Sequence, residues 1–369
     1  MTFIMPSAVT DLPATQTAIV AVGPGKLAIK NDAPVPFLAP DMAIVKTAAV
    51  AINPADAKML DYSAAPGAIH GYDFAGTIVA LGAETPAHLS VGDRVAGFVH
   101  GMNSLQPNIG GFAQYVGASA DLLLKIPDSM RFEDAAGLGT GVGTAALALF
   151  RELKLPVSLE QFEYAAEASR PGAPFVLVCG GSTATGTRAI QMVKLAGLRP
   201  IATCSPQNFD LVRRFGAEEV FDYRSENCAA DIKKYTRNTL SYALDCVSQG
   251  DTTQLSYGAI GRAGGFYCAL EPYREKITST RPTVVPSWLM VLTIFGKKVA
   301  LDGVYGRDAS PDDREFGAKI FAAVQKHLDR GLMTTHPVKV MSGGWSGVIE
   351  GVNIIREQAQ SGQKLVYVV

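Results

Sequence analysis

The sequence predicts an α/β protein of two domains: an antiparallel, barrel-like β domain, then a doubly wound parallel sheet with helices on both faces. Three observations carry this. Residues 174–270 alternate short apolar runs with amphipathic ones, the grammar of βαβ units joined by crossovers. Residues 15–150 hold short strand-like runs broken by Gly, Pro and Asp, as antiparallel barrels do. A length of 369 residues, 48% apolar and 18% charged, suits about two domains with sizeable cores.

In the first half, TAIVAV (17–22), KLAIKN (26–31), MAIVKTAAVAIN (42–53), YDFAGTIVALG (72–82), GDRVAGFV (92–99) and FAQYVGAS (112–119) read as strands. AGLGTGVGTAALALFRELKL (136–155) reads as a turn leading into a helix, and the polar, Pro-bounded stretch 156–173 as a connector. In the second half, PFVLVC, PIATC, EVFDY, YALDCV and GGFYCAL read as buried strands. AIQMVKLAG, NFDLVRRFG and AADIKKYTRN read as the helices between them. DDREFGAKIFAAVQKHLDRG (312–331) has the spacing of an amphipathic helix with an acidic start, and GQKLVYVV closes the chain as a strand. There is no internal repeat.

A net charge of −1 without runs of like charge argues against a nucleic-acid surface or a polybasic membrane patch. No apolar stretch approaches the roughly 20 residues of a membrane span, and the N-terminus lacks a basic-then-apolar leader pattern. A soluble, cytoplasmic protein is expected. The cysteines at 179, 204, 228, 246 and 268 show no C-x-x-C spacing, which speaks against a disulfide framework and a structural zinc site.

CGGSTATGTRA (179–189) lies between a strand and a helix. Gly181 and Gly186 have P-loop spacing, but Thr187 and Arg188 follow where Lys and Ser/Thr are needed. A bare βα turn is the plain alternative. The context inside a βαβ unit favours a third reading, a modified dinucleotide turn. Gly181 allows the turn, Gly186 lets the helix close on the sheet, and the hydroxyls of Ser182, Thr183 and Thr185 add donors for a diphosphate at the helix N-terminus. An NAD site carries Asp or Glu near the end of the next strand. Here Ala202 to Asn208 reads ATCSPQN, without an acid. Ser205, Gln207 and Asn208 supply neutral donors and Tyr223 ends the following strand, so NADPH is expected over NADH. A Ser-Pro turn capping the next helix is compatible with that role.

AINPADAK (51–58), GYDFAGTIVALG (71–82), VGDRVAGF (91–98) and GGFAQY (110–115) resemble the medium-chain dehydrogenase/reductase superfamily, through nearly the whole chain. More narrowly, GGSTAT, IATCSPQNFDL, GAEEVFDYR, YALDC, AIGRAGG and GQKLVY resemble the trans-acting enoyl reductases of fungal polyketide synthases. The resemblance implies a GroES-like substrate domain over 1–155, completed by 303–369, and a Rossmann cofactor domain over 156–302. Zinc-dependent members carry Cys near the place of Asn53 and Gly-His-Glu around Gly71. Here those places read Asn53 and Gly71-Tyr72-Asp73, and His70 with Asp73 does not make the three-ligand set of a catalytic zinc. No metal is expected, and His70 is expected to be structural.

The resemblance then implies hydride transfer from NADPH to the β-carbon of an α,β-unsaturated polyketide thioester. That thioester is carried by a partner polyketide synthase, a hybrid with a peptide synthetase included. Donors at the thioester oxygen would lower the barrier, and Lys58 is the candidate catalytic residue; a surface lysine on a short helix is the alternative. The implied cofactor contacts are Ala55, Asp56, Ala57 and Lys58; Ser182, Thr183, Ala184 and Thr185; Ser205, Pro206, Gln207 and Asn208; Tyr223; Leu270 and Glu271; and Ser361 and Gly362. At Glu271 the family often has an amide, so only a backbone contact carries over. The substrate is expected in the cleft between domains, along Thr144-Ala145-Ala146-Leu147-Ala148-Leu149-Phe150-Arg151 and Leu292-Thr293-Ile294-Phe295-Gly296. The second run belongs to WLMVLTIFG, which reads equally as a core strand; the resemblance implies a substrate lining and a monomer. Two other functions remain open on sequence alone, a stand-alone quinone or enone reductase and a non-catalytic dinucleotide-binding protein.

Overall fold

Strand β1 (Thr15–Gly23) folds back on β2 (Lys26–Pro34) as an antiparallel hairpin in a computed structural model that describes residues 12–164, 172–357 and 361–369. There follow β3 (Met42–Ala51), α1 (Pro54–Tyr62), β4 (Asp73–Leu81), β5 (Arg94–Phe98), β6 (Tyr115–Ser119), β7 (Leu124–Lys125) and α2 (Phe132–Ala135). Then come α3 (Gly139–Ala146), α4 (Leu159–Glu163), β8 (Phe175–Cys179), α5 (Ala184–Leu195), β9 (Arg199–Cys204) and α6 (Phe209–Arg214). The parallel sheet continues through β10 (Glu219–Asp222), α7 (Cys228–Tyr235), β11 (Tyr242–Asp245), α8 (Gly250–Ala259), β12 (Gly265–Ala269), α9 (Glu275–Thr278) and β13 (Val284–Trp288). Last are α10 (Pro311–Asp329), β14 (Val338–Met341), α11 (Gly344–Arg356) and β15 (Lys364–Val368). Of the expected connector, residues 165–171 lie outside the described residues.

These elements form two units. The first holds the chain up to Gly139, then 338–357 and Leu365–Val369; the second holds Thr140–Pro337 and 361–364. In the first unit the sheet runs β14-β15-β3-β4-β5-β7, with β6 also on β3. Ile44, Val45, Val50, Phe74, Ile78, Val95 and Phe98 form its core. Helix α11 packs on β15 because two of its residues are glycines: a Cβ on Gly347 or Gly351 would come within 2.9 or 2.6 Å of the Tyr367 side chain. Those same glycines, with the turn at Gly343–Gly344, hide the helix from a reading based on periodicity and propensity.

In the second unit the sheet order is β10-β9-β8-β11-β12-β13, with parallel pairing throughout. This is the Rossmann order, which reverses between β8 and β11. Leu177, Ile201, Ala243 and Tyr267 lie in the core on one side of the sheet. Helix α5 is buried from Gly186 to Val193.

The units change over at 139/140 and 337/338, not at the 155/156 and 302/303 boundaries read from sequence. Helix α10 explains the difference. His327 Nε2 lies 2.9 Å from the Phe162 carbonyl oxygen, the Phe162 and His327 rings meet edge-on at 4.8 Å, and Asp313 pairs with Arg151 at 3.4 Å. Of the two readings of WLMVLTIFG, a strand is not what the run forms beyond Trp288. β13 ends at Trp288, and Val291–Phe295 is a short 3-10 turn stopped by Gly296 at φ 69°.

Candidate functional site

At the carboxyl end of β8 the chain enters a tight turn. Gly180 takes φ 77°, so it, rather than Gly181, supplies the left-handed residue. The N–H groups of Gly180 and Gly181 donate to the Thr203 carbonyl at 3.1 and 2.9 Å, tying the ends of β8 and β9 together. Thr183 is the N-cap of α5: its Oγ1 accepts from Gly186 N–H at 2.9 Å and donates to the Gly180 carbonyl at 2.9 Å. A Cβ on Gly186 would overlap that carbonyl. The capped helix end leaves the N–H groups of Ala184 and Thr185 in its first turn, where no intrahelical acceptor exists. The half-buried hydroxyls of Ser182 and Thr185 flank them. Thr183's own hydroxyl is taken by the cap, which reduces the expected hydroxyl donors to two. This set fits a dinucleotide diphosphate at the strand-order reversal.

Two segments far apart in sequence meet beside β9. Buried Ser205 is followed by the 3-10 turn Pro206–Asn208, and Asn208 N–H returns to the Ser205 carbonyl at 2.9 Å. Asn208 Nδ2 donates to Ser361 Oγ at 3.1 Å, and Gly362, at φ 67°, lies against Asn208 Oδ1. Past β10, Tyr223 is exposed with the Arg224 guanidinium 5.3 Å over its ring. Arg224 was missed in the sequence reading although it directly follows an expected contact.

Across the reversal, Asp245 ends β11, fully buried. Its Oδ1 accepts from the N–H groups of Val247 (3.0 Å) and Ser248 (2.8 Å), and its Oδ2 from Thr252 Oγ1 (2.8 Å) and Tyr267 Oη (2.9 Å). Burial raises its carboxyl pKa, against the pull of these donors. Ser248 Oγ donates to the Asp245 carbonyl at 2.9 Å and accepts from Leu270 N–H at 2.8 Å. One carboxylate thus orders the turn after β11 and the exit of β12 at Leu270–Glu271. Asp245 too escaped the sequence reading; Ser and Thr three and seven residues beyond a strand-end Asp were the available signal. Glu271 Oε2 accepts from Tyr305 Oη at 2.9 Å.

Of the expected substrate residues, Arg151 and Gly296 lie against the start of α10. Helix α3 runs into a π-helical turn, Leu147–Glu152, a form often found where function bends a helix. Thr144 to Leu149 are buried in this unit. Phe150 packs edge-on to Phe162 at 5.2 Å, and the Arg151 guanidinium lies 5.9 Å over the Phe316 ring. In the second run Leu292 and Ile294 are buried, and Gly296 lies against Arg314.

In the first unit, α1 carries Ala55 to Lys58. Asp56 and Ala57 are buried, whereas Ala55 and Lys58 are half-buried. Asp56 Oδ2 accepts from Asn53 N–H at 2.6 Å, and Asn53 Nδ2 donates to Asp73 Oδ2 at 3.0 Å. His70 Nε2 lies 3.9 Å from Asp56 Oδ1. Burial pulls the His70 imidazole down to about 4, so it is neutral near pH 7. Among the described residues no group of three His, Cys, Asp or Glu side chains is placed to hold a metal ion. No helix among them is long and apolar enough to cross a membrane.

The alcohol dehydrogenase GroES-like domain matches residues 39–128, and the zinc-binding dehydrogenase family matches 184–298. The trans-enoyl reductase caaB of Aspergillus niger is 66% identical over 367 residues, covering 99% of this chain and 100% of that protein. The trans-enoyl reductase traG of Penicillium crustosum is 63% identical, covering 98% and 100%. Among solved structures, the CurK enoyl reductase superposes with a TM-score of 0.73 at 17% identity, covering 96% of this chain and 99% of that one. A putative zinc-dependent alcohol dehydrogenase protein from Rhizobium etli gives 0.77 at 22% identity, covering 96% and 98%.

Proposed function

This chain belongs to the trans-enoyl reductases of the medium-chain dehydrogenase/reductase superfamily, and from that premise we propose its substrate, cofactor and partner. It reduces the α,β double bond of polyketide thioesters carried by a partner polyketide synthase, a hybrid with a peptide synthetase included, and it uses NADPH. The observation that carries this reading is the identity of 66% over essentially the full length of both chains. When bound, the reduced dinucleotide supplies the hydride.

The protein's own residues bind and orient. The capped start of α5, with Ser182 and Thr185, takes the diphosphate. Ser205 to Asn208, with Ser361 and Gly362, form the wall beside the adenosine ribose. The absence of a carboxylate from Ala202 to Asn208 and the cation of Arg224 beside Tyr223 support a 2′-phosphate there. Leu270 offers backbone to the nicotinamide end, held in place through Ser248 and Asp245. Lys58 donates to the thioester oxygen as charge develops on it. The second unit carries the dinucleotide turn and both expected substrate runs, and the first carries Lys58.

The chain acts as a cytoplasmic monomer. In support, β13 lies at the edge of the parallel sheet with Pro286 in its middle, and a proline there cannot donate to an added strand.

The test is NADPH oxidation with crotonyl and longer enoyl thioesters, free and carrier-bound. Faster reduction of carrier-bound thioesters supports the reading. Turnover of free quinones with no reduction of any enoyl thioester would overturn it.

A further inference from the structure

Beneath the start of α1, Asn53, Asp56 and Asp73 form a buried cluster of mutually bonded residues. We infer that Asn53 is a positioning residue for the reduction: it tethers the start of α1 to β4 and so fixes where Lys58 stands. The inference rests on the reading of Lys58 as the donor to the thioester oxygen.

Asn53 is extended at φ −114°, as a residue before proline is required to be, and Pro54 opens the helix. Its two nitrogens grip different elements. The backbone N–H donates to Asp56 Oδ2 at 2.6 Å, closing the first turn of α1, while Nδ2 donates to Asp73 Oδ2 at 3.0 Å, on the first residue of β4. Asp73 is paired in register with Ala51, two residues before Asn53, and Ile52 N–H donates to the Leu365 carbonyl at 3.0 Å. The junction between β3 and α1 is therefore pinned from both neighbouring strands. Asn53, Asp56, His70 and Asp73 are all buried, where a hydrogen bond to a carboxylate is strong and a broken one is costly.

Lys58 sits one helical turn beyond this anchor. It is carried by α1, so a shift of the helix start moves it. Loss of the tether lets α1 shift by a fraction of an ångström, enough to matter in a reaction that depends on alignment.

Single-turnover hydride transfer from NADPH to a crotonyl thioester, with melting temperature and NADPH dissociation constant measured alongside, tests this. Asn53→Ala should slow transfer by between about 10- and 10²-fold and weaken NADPH binding by much less than that, since α1 is only one of the segments that contact the dinucleotide. In a Lys58→Ala background the same change should cost less than about twofold, because the residues act through one another. Asp73→Asn keeps an oxygen that accepts from Asn53 and should retain most of the rate, whereas Asp73→Leu should reproduce the defect. This pair carries the test if Asn53→Ala does not fold. Parental transfer by Asn53→Ala, or full multiplication of the two effects, overturns the inference while leaving Lys58 in place. Parental transfer by Lys58→Ala overturns the Lys58 reading itself, and the tether's role falls with it.

Discussion

Replacing Asp245 by alanine removes the acceptor of four hydrogen bonds at the strand-order reversal. The donors do not suffer alike. Tyr267 Oη keeps Thr253 Oγ1 at 3.0 Å, and Thr252 Oγ1 keeps the Gln249 carbonyl at 3.0 Å. The N–H groups of Val247 and Ser248 lose their acceptor. At roughly 1–3 kcal/mol for each stranded donor, Asp245→Ala should cost about 2–6 kcal/mol, toward the low end because both N–H groups are only part-buried. Asp245→Asn separates geometry from charge. Its amide oxygen can take both backbone donors, and its NH₂ can face two hydroxyls that rotate to accept. Burial already disfavours the native carboxylate, raising its pKa, so the neutral amide also relieves desolvation. The amide should therefore cost no more than about 1 kcal/mol. Urea unfolding followed by circular dichroism gives both values from the midpoint at unchanged slope. Equal losses in the two variants, or less than about 1 kcal/mol for alanine, would falsify the account of Asp245 as organiser of this turn.

Three further outcomes follow from particular residues. Gly186→Ala has no room against the Gly180 carbonyl; it should weaken NADPH binding by about fivefold or more, since overpacking of roughly 1–3 kcal/mol falls on the diphosphate turn. Fluorescence titration reads it, and an unchanged dissociation constant refutes the fit. Arg224→Ala and Ser205→Asp should each lower the preference for NADPH over NADH, the second more strongly by repulsion of the 2′-phosphate; calorimetry with both dinucleotides decides, and an unmoved ratio sinks the assignment. Burial lowers His70 and His100 to about 4 and His336 to about 3, from 6.5. The unfolded chain therefore binds protons that the native protein refuses. Stability is full above pH 6.5 and falls as pH drops toward 4, by about 1.4 kcal/mol per pH unit for each histidine. Urea midpoints at a series of pH values should show the slope, and His70→Gln should flatten it by about a quarter to a third, since burial lowers His327 as well; a flat profile contradicts the neutral buried rings.

What the sequence determined by itself was local. Alternating apolar runs specify the five strands from Phe175 to Ala269 because a parallel strand covered on both faces must be apolar along its whole length. Gly186 marks a turn that a side chain would block, whereas the left-handed residue is Gly180 and not the Gly181 read from sequence. The missing acid after β9 and the Asn53 and Tyr72 positions are chemical facts that need no fold. Helices α8 and α11 were not legible, since one carries polar residues on its buried face and the other owes its packing to glycines against Tyr367. The division into units was decided by α10, whose His327 and Asp313 meet partners more than a hundred residues away. The same holds within the site. Asp245 with Tyr267, Asn53 with Asp73, and Asn208 with Ser361 are pairs whose members carry no mark of one another in the sequence. A buried polar atom must find a partner, but periodicity reports only which face is buried; the chain's path through space chooses the partner.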